Sequence, residues 1–353
     1  LYYEDEDGCK LKAPIRYKIK QKKGKDAHGP IKIFDETNTS MYFRQTKNNV
    51  IYLTIRKKNI SDLKGAQIKL CLAYWLARLT PSKKIILLFE KEGSRYEESA
   101  SVLYEELINQ GYNNAYFVLD RNYPYSGNIA EKYRKNILPK GTWKHYYYFF
   151  KSKTFLGSEA LVHSIDLRIS NKYAQRKLAD KDKDYVFLQH GVMYMVSLDS
   201  ESRKFFKPEK LDGKYRVVTS SHQEARHFID LGGYEKEMIY ICGLPKFDRN
   251  IRYNDADKIV IMPTWRPWEY NEARYDFEET KYYKMLCRIF AGIPEELHEN
   301  IIILPHPLFF DAVKDAEFPM KKYFNCETKY DDILKTAKIL ITDYSSISYD
   351  AFY

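Results

Sequence analysis

Three apolar runs in this sequence end in groups suited to phosphate and proton chemistry. Ala337-Lys338-Ile339-Leu340-Ile341-Thr342 leads into Asp343-Tyr344-Ser345-Ser346, Ile301-Ile302-Ile303-Leu304 into Pro305-His306-Pro307, and Phe187-Leu188 into Gln189-His190-Gly191. Ser345 and Ser346 stand where a strand gives way to a helix carrying Asp350. Unpaired backbone N–H groups at such a junction, with hydroxyls beside them, suit a phosphate. Histidine titrates near neutrality, so His190, bared by a turn at Gly191, can take the proton of an attacking hydroxyl. His306 sits between two prolines that restrict its backbone, and can donate to a diphosphate as the bond to the leaving phosphate breaks.

A fourth run, Ile259-Val260-Ile261-Met262-Pro263, delivers Thr264-Trp265-Arg266. The Arg266 guanidinium can grip two phosphate oxygens, with Thr264 adding a short-range donor, and Trp265 or Trp268 can stack on a base. Lys246, in Gly243-Leu244-Pro245-Lys246-Phe247-Asp248, can add positive potential to the same cleft. Asp343 would repel a phosphate, so ordering the site or meeting a ribose suits it better. Each residue also has a plainer role: serines cap helices, an arginine joins a surface ion pair, and Gly243 with Pro245 sets a turn.

Other chemistries lack their anchors. The sequence has no GxxxxGK[ST] loop and no GxGxxG fingerprint, which removes the common kinase, ATPase and dehydrogenase readings. Its five cysteines, Cys9, Cys71, Cys242, Cys287 and Cys326, form no CxxC pair and no compact cluster with histidine. Reduced thiols, no metal and no cofactor are the expectation. The net charge of +10 is concentrated: residues 10 to 64 carry fifteen Lys or Arg against four acids, while Glu4, Asp5, Glu6 and Asp7 precede them. Such a patch suits an anionic membrane, a polyanionic polymer or nucleic acid, or is simply a solvated face. No nucleic-acid module accompanies it, so nucleic acid is not expected as a partner.

The elements that must hold these groups alternate. Strand-like runs at 84–89, 115–120, 154–156 and 185–188 are separated by helical stretches. After residue 213 the pattern restarts, with strands at 215–219, 238–241, 258–262, 300–304 and 338–342 and helices near 221–231 and 278–291. This βαβ rhythm predicts an α/β protein with two Rossmann-like domains facing a cleft. Residues 1–64 read as a basic, strand-rich segment outside the motif-bearing region, the end of an additional domain, with antiparallel strands turning at Asn48-Asn49. Residues 65–212 and 213–353 form the two domains. Residues 65–79 make a strongly apolar helix, suited to a membrane surface or to packing as a linker, and Tyr146 to Phe150 pose the same choice. No run of 18 apolar residues would span a bilayer. The start at Leu1 and the stop at Tyr353 inside an apparent helix suggest a piece of a longer protein.

The ordered set Gln189-His190-Gly191, Gly243 to Asp248, Pro263 to Arg266, Pro305-His306-Pro307 and Thr342 to Ser346 resembles the CDP-glycerol glycerophosphotransferase family, the teichoic-acid primases and polymerases. The resemblance covers residues 84 to 353. It implies a GT-B fold, peripheral attachment to the cytoplasmic face of the membrane, and transfer of glycerol phosphate from CDP-glycerol to a hydroxyl of a lipid-linked glycan or polyol-phosphate acceptor, with release of CMP. His190 then becomes the candidate base, and Arg266, His306, Ser345 and Ser346 candidate donor-phosphate contacts. Many glycerol-phosphate enzymes continue from the first histidine with Gly-Thr-Pro, where this chain has Gly191-Val192-Met193-Tyr194. A CDP-ribitol donor or another acceptor therefore stays open, as do a nucleotide-sugar glycosyltransferase and a non-catalytic anionic-polymer-binding module.

Overall fold

A computed structural model describes the chain apart from residues 1, 5–9, 13–26, 29–30, 46–50, 82–83, 125–128, 168, 170, 201–206, 212, 265, 326–327, 329 and 353. The Asn48-Asn49 turn and Trp265 lie outside the described residues. The chain divides into two compact units, the first comprising residues 1–96, 104–186 and 212–215 and the second residues 97–103, 187–211 and 216–353.

The first unit opens with short strands β1 (Tyr2–Glu4), β2 (Lys10–Lys12), β3 (Ala27–His28), β4 (Lys32–Phe34), β5 (Thr39–Gln45) and β6 (Ile51–Lys57). The antiparallel pair expected here is β5 with β6, in register from Thr39 against Lys57 to Gln45 against Ile51. Part of the basic charge of this segment is internal. Arg56 makes a two-pronged contact with Asp62, whose carboxylate also accepts from Ser40 Oγ at 2.7 Å and the Asn59 N–H at 2.9 Å. Both side chains of that ion pair are buried, so the guanidinium and its four-donor carboxylate fix how β6 turns into the next helix.

That helix is α1 (Lys64–Leu79), the apolar helix expected over 65–79. It packs on α4 (Trp143–Lys151), behind α2 (Ser99–Asn109) and α3 (Glu131–Arg134) in the chain. Tyr146, Phe149 and Phe150 of α4 are buried, so the aromatic run 146–150 is largely a packing face. Strands β7 (Ile86–Phe89), β8 (Ala115–Leu119), β9 (Ile137–Pro139), β10 (Thr154–Gly157) and β11 (Asp184–Phe187) lie in the order β11-β10-β7-β8-β9, with β10, β7, β8 and β9 paired in parallel. Gly157 is required at the end of β10, because a Cβ there would stand 2.4 Å from the Phe89 ring. A further helix, α5 (Lys172–Leu178), is capped by Asn171, whose side chain accepts from the Tyr173 and Ala174 N–H groups.

The second unit holds β12 (Lys214–Thr219) from Arg216 onward and β13 (Ile239–Ile241), paired in parallel, with α6 (His222–Asp230) between them in sequence. Its other sheet is β14 (Lys258–Ile261), β15 (Ile301–Ile303) and β16 (Ala337–Ile341) in the order β15-β14-β16, both pairs parallel. Alternation along β14 serves two cores. Ile259 and Ile261 enter a cluster with Tyr282, Leu286, Ile303 and Phe309, while Val260 enters another with Leu304 and Ile333. Helix α7 (Tyr270–Tyr275) adds Ala273 to the first cluster, and α8 (Lys281–Ala291), α9 (Pro307–Val313) and α10 (Tyr330–Thr336) supply the helical residues named; α11 (Ile347–Phe352) follows β16. With both its faces covered, β14 reads in sequence as an unbroken apolar run, whereas β16 at the sheet edge leaves Ile339 49% exposed. Among the described residues no helix is long and apolar enough to cross a membrane.

Candidate functional site

Parallel pairing sends the carboxyl ends of β14, β15 and β16 to one edge of their sheet, and strand order reverses at β14. Open α/β sheets bind ligands outside the carboxyl ends of strands at such a reversal. The loops leaving β14 and β16 are bonded to each other there. The Met262 N–H donates to the Ile341 carbonyl at 2.9 Å, and Thr342 Oγ1 to the Met262 carbonyl at 2.7 Å. The Thr264 N–H donates to Asp343 Oδ1 at 2.9 Å, and Arg266 Nη2 to Asp343 Oδ2 at 2.8 Å. Arg266 also donates from Nη1 to the Tyr344 hydroxyl at 2.9 Å and to the Thr264 carbonyl, with its guanidinium 5.0 Å from the Tyr344 ring centre. Burial pushes the Asp343 carboxyl up, but donors from Thr264 and Arg266 and the guanidinium charge outweigh it and hold it below the usual carboxylate range. Asp343 thus orders the edge, and Arg266 keeps its Nε–H outside these bonds.

His306 follows β15 at the same edge and is exposed. Its carbonyl accepts from the Phe309 and Phe310 N–H groups, so it starts α9, with Pro307 at the first helical position. Partial desolvation of the imidazole lowers its pKa.

The loop after β11 is held from below. Gln189, wholly buried, has a φ of 57°, a conformation rare outside glycine, and its Nε2 donates to the Val218 carbonyl at 2.6 Å. His190 then projects as an exposed side chain. Its carbonyl accepts from Lys246 Nζ at 2.9 Å, and that ammonium forms an ion pair at 2.5 Å with Asp350 Oδ1 of α11. A Cβ on Gly191 would stand 3.0 Å from Ser346 Oγ, so the His190 turn lies against the serine loop. Ser345 Oγ accepts from the Ile347 N–H at 3.4 Å and caps α11. Lys246 is therefore no open cation of the cleft: its side chain is 5% exposed and its charge is balanced by Asp350.

About four-fifths of the chain matches a known family. The model for CDP-glycerol:poly(glycerophosphate) glycerophosphotransferases covers residues 72–353. This chain belongs to that family. All the candidate residues lie inside the matched span. The minor teichoic acid biosynthesis protein GgaB of Bacillus subtilis (strain 168) is 26% identical over 293 residues, 77% of this chain and 31% of that protein. The chain thus spans under a third of that relative. The wall teichoic acid polymerase TagF superposes with a TM-score of 0.56 at 16% identity, covering 81% of this chain and 72% of that one. A variant of the same polymerase soaked with CDPG gives 0.54 at 17% identity, covering 82% and 77%. At these identities the likeness concerns the fold.

Within this glycerophosphotransferase-family chain, the structure adds residues that the sequence reading left without a role. Glu224, fully buried, accepts from the Met193 N–H at 2.8 Å and from the Ser220 N–H and Oγ at 2.6 and 2.8 Å. It ties the loop after His190 to the start of α6. Its signal was present: Ser221-His222-Gln223-Glu224 has capping-box spacing, and Ser221 Oγ does accept from the Glu224 N–H. Asp350 stood four residues beyond Ser346, one helical turn on. Among the described residues no group of three His, Cys, Asp or Glu could hold a metal ion, and Cys71, Cys242 and Cys287 are free thiols.

Proposed function

We propose that this chain transfers a polyol phosphate, glycerol phosphate from CDP-glycerol, to a hydroxyl of a membrane-associated teichoic-acid-type acceptor. The acceptor oxygen attacks the phosphorus bearing the polyol, a new P–O bond forms, and the bridging P–O bond breaks to release CMP. His190 takes the hydroxyl proton. Arg266, Thr264, His306, Ser345 and Ser346 hold the diphosphate and the charge that gathers on CMP, while Asp343 orients Arg266. Lys246 acts on the donor side indirectly, by fixing the backbone of His190.

The observation that carries this reading is the meeting of the His190 turn with the serine loop: Gly191 against Ser346, and Lys246 joining the His190 carbonyl to Asp350. An exposed imidazole and a phosphate-suited edge then belong to one neighbourhood, as an in-line displacement needs. Family membership supports the donor class. In this reading the two domains, 65–212 on the acceptor side and 213–353 on the donor side, pair as in the GT-B fold, and the protein works at the cytoplasmic face of the membrane as a peripheral protein. The buried loop Val192-Met193, tied to Glu224, is the feature that favours testing CDP-ribitol beside CDP-glycerol.

The test is a donor panel of labelled CDP-glycerol, CDP-ribitol and nucleotide-sugars with a lipid-linked acceptor. Acceptor-dependent phosphate incorporation with CMP release supports the proposal and names the polyol. Sugar incorporation with release of a nucleoside diphosphate overturns it in favour of a glycosyltransferase.

A further inference from the structure

The loop after His190 runs along one side of α11. Gly191 lies against Ser346, the His190 carbonyl is joined to Asp350 through Lys246, and the Tyr194 ring meets the Tyr349 ring edge-on at 6.4 Å. Tyr349 and Asp350 stand three and four residues beyond Ser346, whose carbonyl accepts from the Tyr349 N–H at 3.1 Å, so all three share one face of that turn. Tyr194 therefore belongs to the same seam as the candidate base.

The corner made by the two rings is held from behind. Glu224, wholly buried, accepts from the Met193 N–H at 2.8 Å and so fixes the residue before Tyr194. The His227 ring stands 5.5 Å from that of Tyr194, and its Nε2 donates to the Val196 carbonyl at 2.6 Å. A carbonyl only accepts, so that bond pins the imidazole. Burial, with Tyr194 and Glu224 nearby, raises the pKa of the Tyr349 phenol, which keeps its proton as a donor. Tyr194 and Met195 stay open, 43% and 53% exposed. Two rings at 89° thus give a shelf and a wall beside the His190 turn.

Shape and charge decide what such a corner takes. An aromatic ring has a negative face, which attracts the slightly positive C–H groups of a neutral ring. A sugar offers that C–H face, with hydroxyls around its rim for the phenol oxygens. A polyol phosphate has no flat face. Its phosphodiester would also approach the Glu224 carboxylate beneath the loop, where the neighbouring ammonium of Lys246 is already spent on Asp350.

We propose that Tyr194 and Tyr349 bind a sugar ring of the acceptor, with Tyr194 stacked on its C–H face, so that the hydroxyl offered to His190 belongs to a glycan terminus and not to a polyol-phosphate end. The inference rests on the proposed phosphotransfer for the role of His190, and deepens it by naming the acceptor class. Sugar binding is measured without donor and without turnover, so the two can fail separately.

The experiment is saturation-transfer NMR and titration of the whole chain with methyl glycosides of hexoses and N-acetylhexosamines, beside a glycerol phosphate trimer. The wild-type chain should transfer saturation to the ring C–H protons of a glycoside and leave the trimer silent. Tyr194→Ala should bind the glycoside about tenfold more weakly, at the usual worth of one aromatic contact, while Tyr194→Phe and Tyr194→Trp stay within about twofold of wild type. The exposed ring supports no core, so all three variants should melt with the wild type. In turnover with CDP-glycerol and a lipid-linked glycan, the Tyr194→Ala loss should appear in the acceptor KM and not in the donor KM. No glycoside signal, a preference for the trimer, or equal binding by wild type and Tyr194→Ala would overturn the proposal. So would competitive displacement of the glycoside by CMP, which would make the corner a stacking site for the donor's base. Tyr194-dependent glycoside binding with no CMP release from any donor would support the sugar subsite and sink the phosphotransfer reading instead.

Discussion

Lys246 and Asp350 form an ion pair at 2.5 Å between side chains only 5% and 3% exposed, and the same ammonium holds the His190 carbonyl at 2.9 Å. One lysine therefore links three segments: the loop after β13, the helix after β16, and the turn that presents the candidate base. Burial pushes the Asp350 carboxyl up against the opposing pull of Lys246 and His190. Removing one member of a buried pair strands the other, so Asp350→Asn should cost about 3–5 kcal/mol in denaturant unfolding. Lys246→Met/Asp350→Leu should regain most of that stability. Its turnover should stay low because the His190 carbonyl has lost its donor. A double variant restored in both stability and turnover would reduce the pair to packing.

The sequence made the sheet legible and hid this pair, for a physical reason. A strand buried on both faces is a continuous apolar run, so β14 stands out at once, and the apolar runs of β15 and β16 mark the polar residues at their ends in the same way. Lys246 carries no local mark of burial; its partner is brought in by the fold from a distant helix. Arg266 was legible as a phosphate-type donor, but its tether to Asp343 required the β14–β16 register. The apolar character of α1 was equally plain, while which of its stripes would be covered depended on where α4 packs.

His190 is exposed and its side chain supports no core, so His190→Ala should melt as the wild type does. Loss of a general base should lower kcat by about a hundred- to ten-thousandfold, with donor KM changed only a few-fold. Steady-state kinetics with CDP-glycerol and acceptor measure both. A variant whose KM rises while kcat holds would move His190 from proton transfer to donor binding.

Gly191 touches Ser346, and a methyl group there would press on Ser346 Oγ at 3.0 Å. A hydroxyl can rotate aside, so Gly191→Ala should cost stability little, about 1 kcal/mol or less. The same displacement moves a candidate phosphate contact and should raise donor KM. Adding Ser346→Gly removes the clash along with the hydroxyl. The two changes should then be non-additive in kcat/KM, and strictly additive effects would separate the turn from the donor site.

Asp343 offers a test by pH. Its folded carboxyl titrates below the ordinary value of 3.8, because the donors from Thr264 and Arg266 and the guanidinium charge outweigh burial. A depressed folded pKa stabilises the protein above the unfolded value, and that contribution fades as pH falls through the lower folded value. Asp343→Asn should therefore melt below the wild type at neutral pH, by about 1 kcal/mol after allowance for solvent screening. The gap should stay constant down to about pH 5 and close below about pH 4. Because Asp343 also aims Arg266, the variant should share the raised donor KM of Arg266→Ala, about tenfold or more for a lost charged contact. A gap that widens on acidification would refute the electrostatic account, and an unchanged donor KM in Arg266→Ala would take that arginine out of the site.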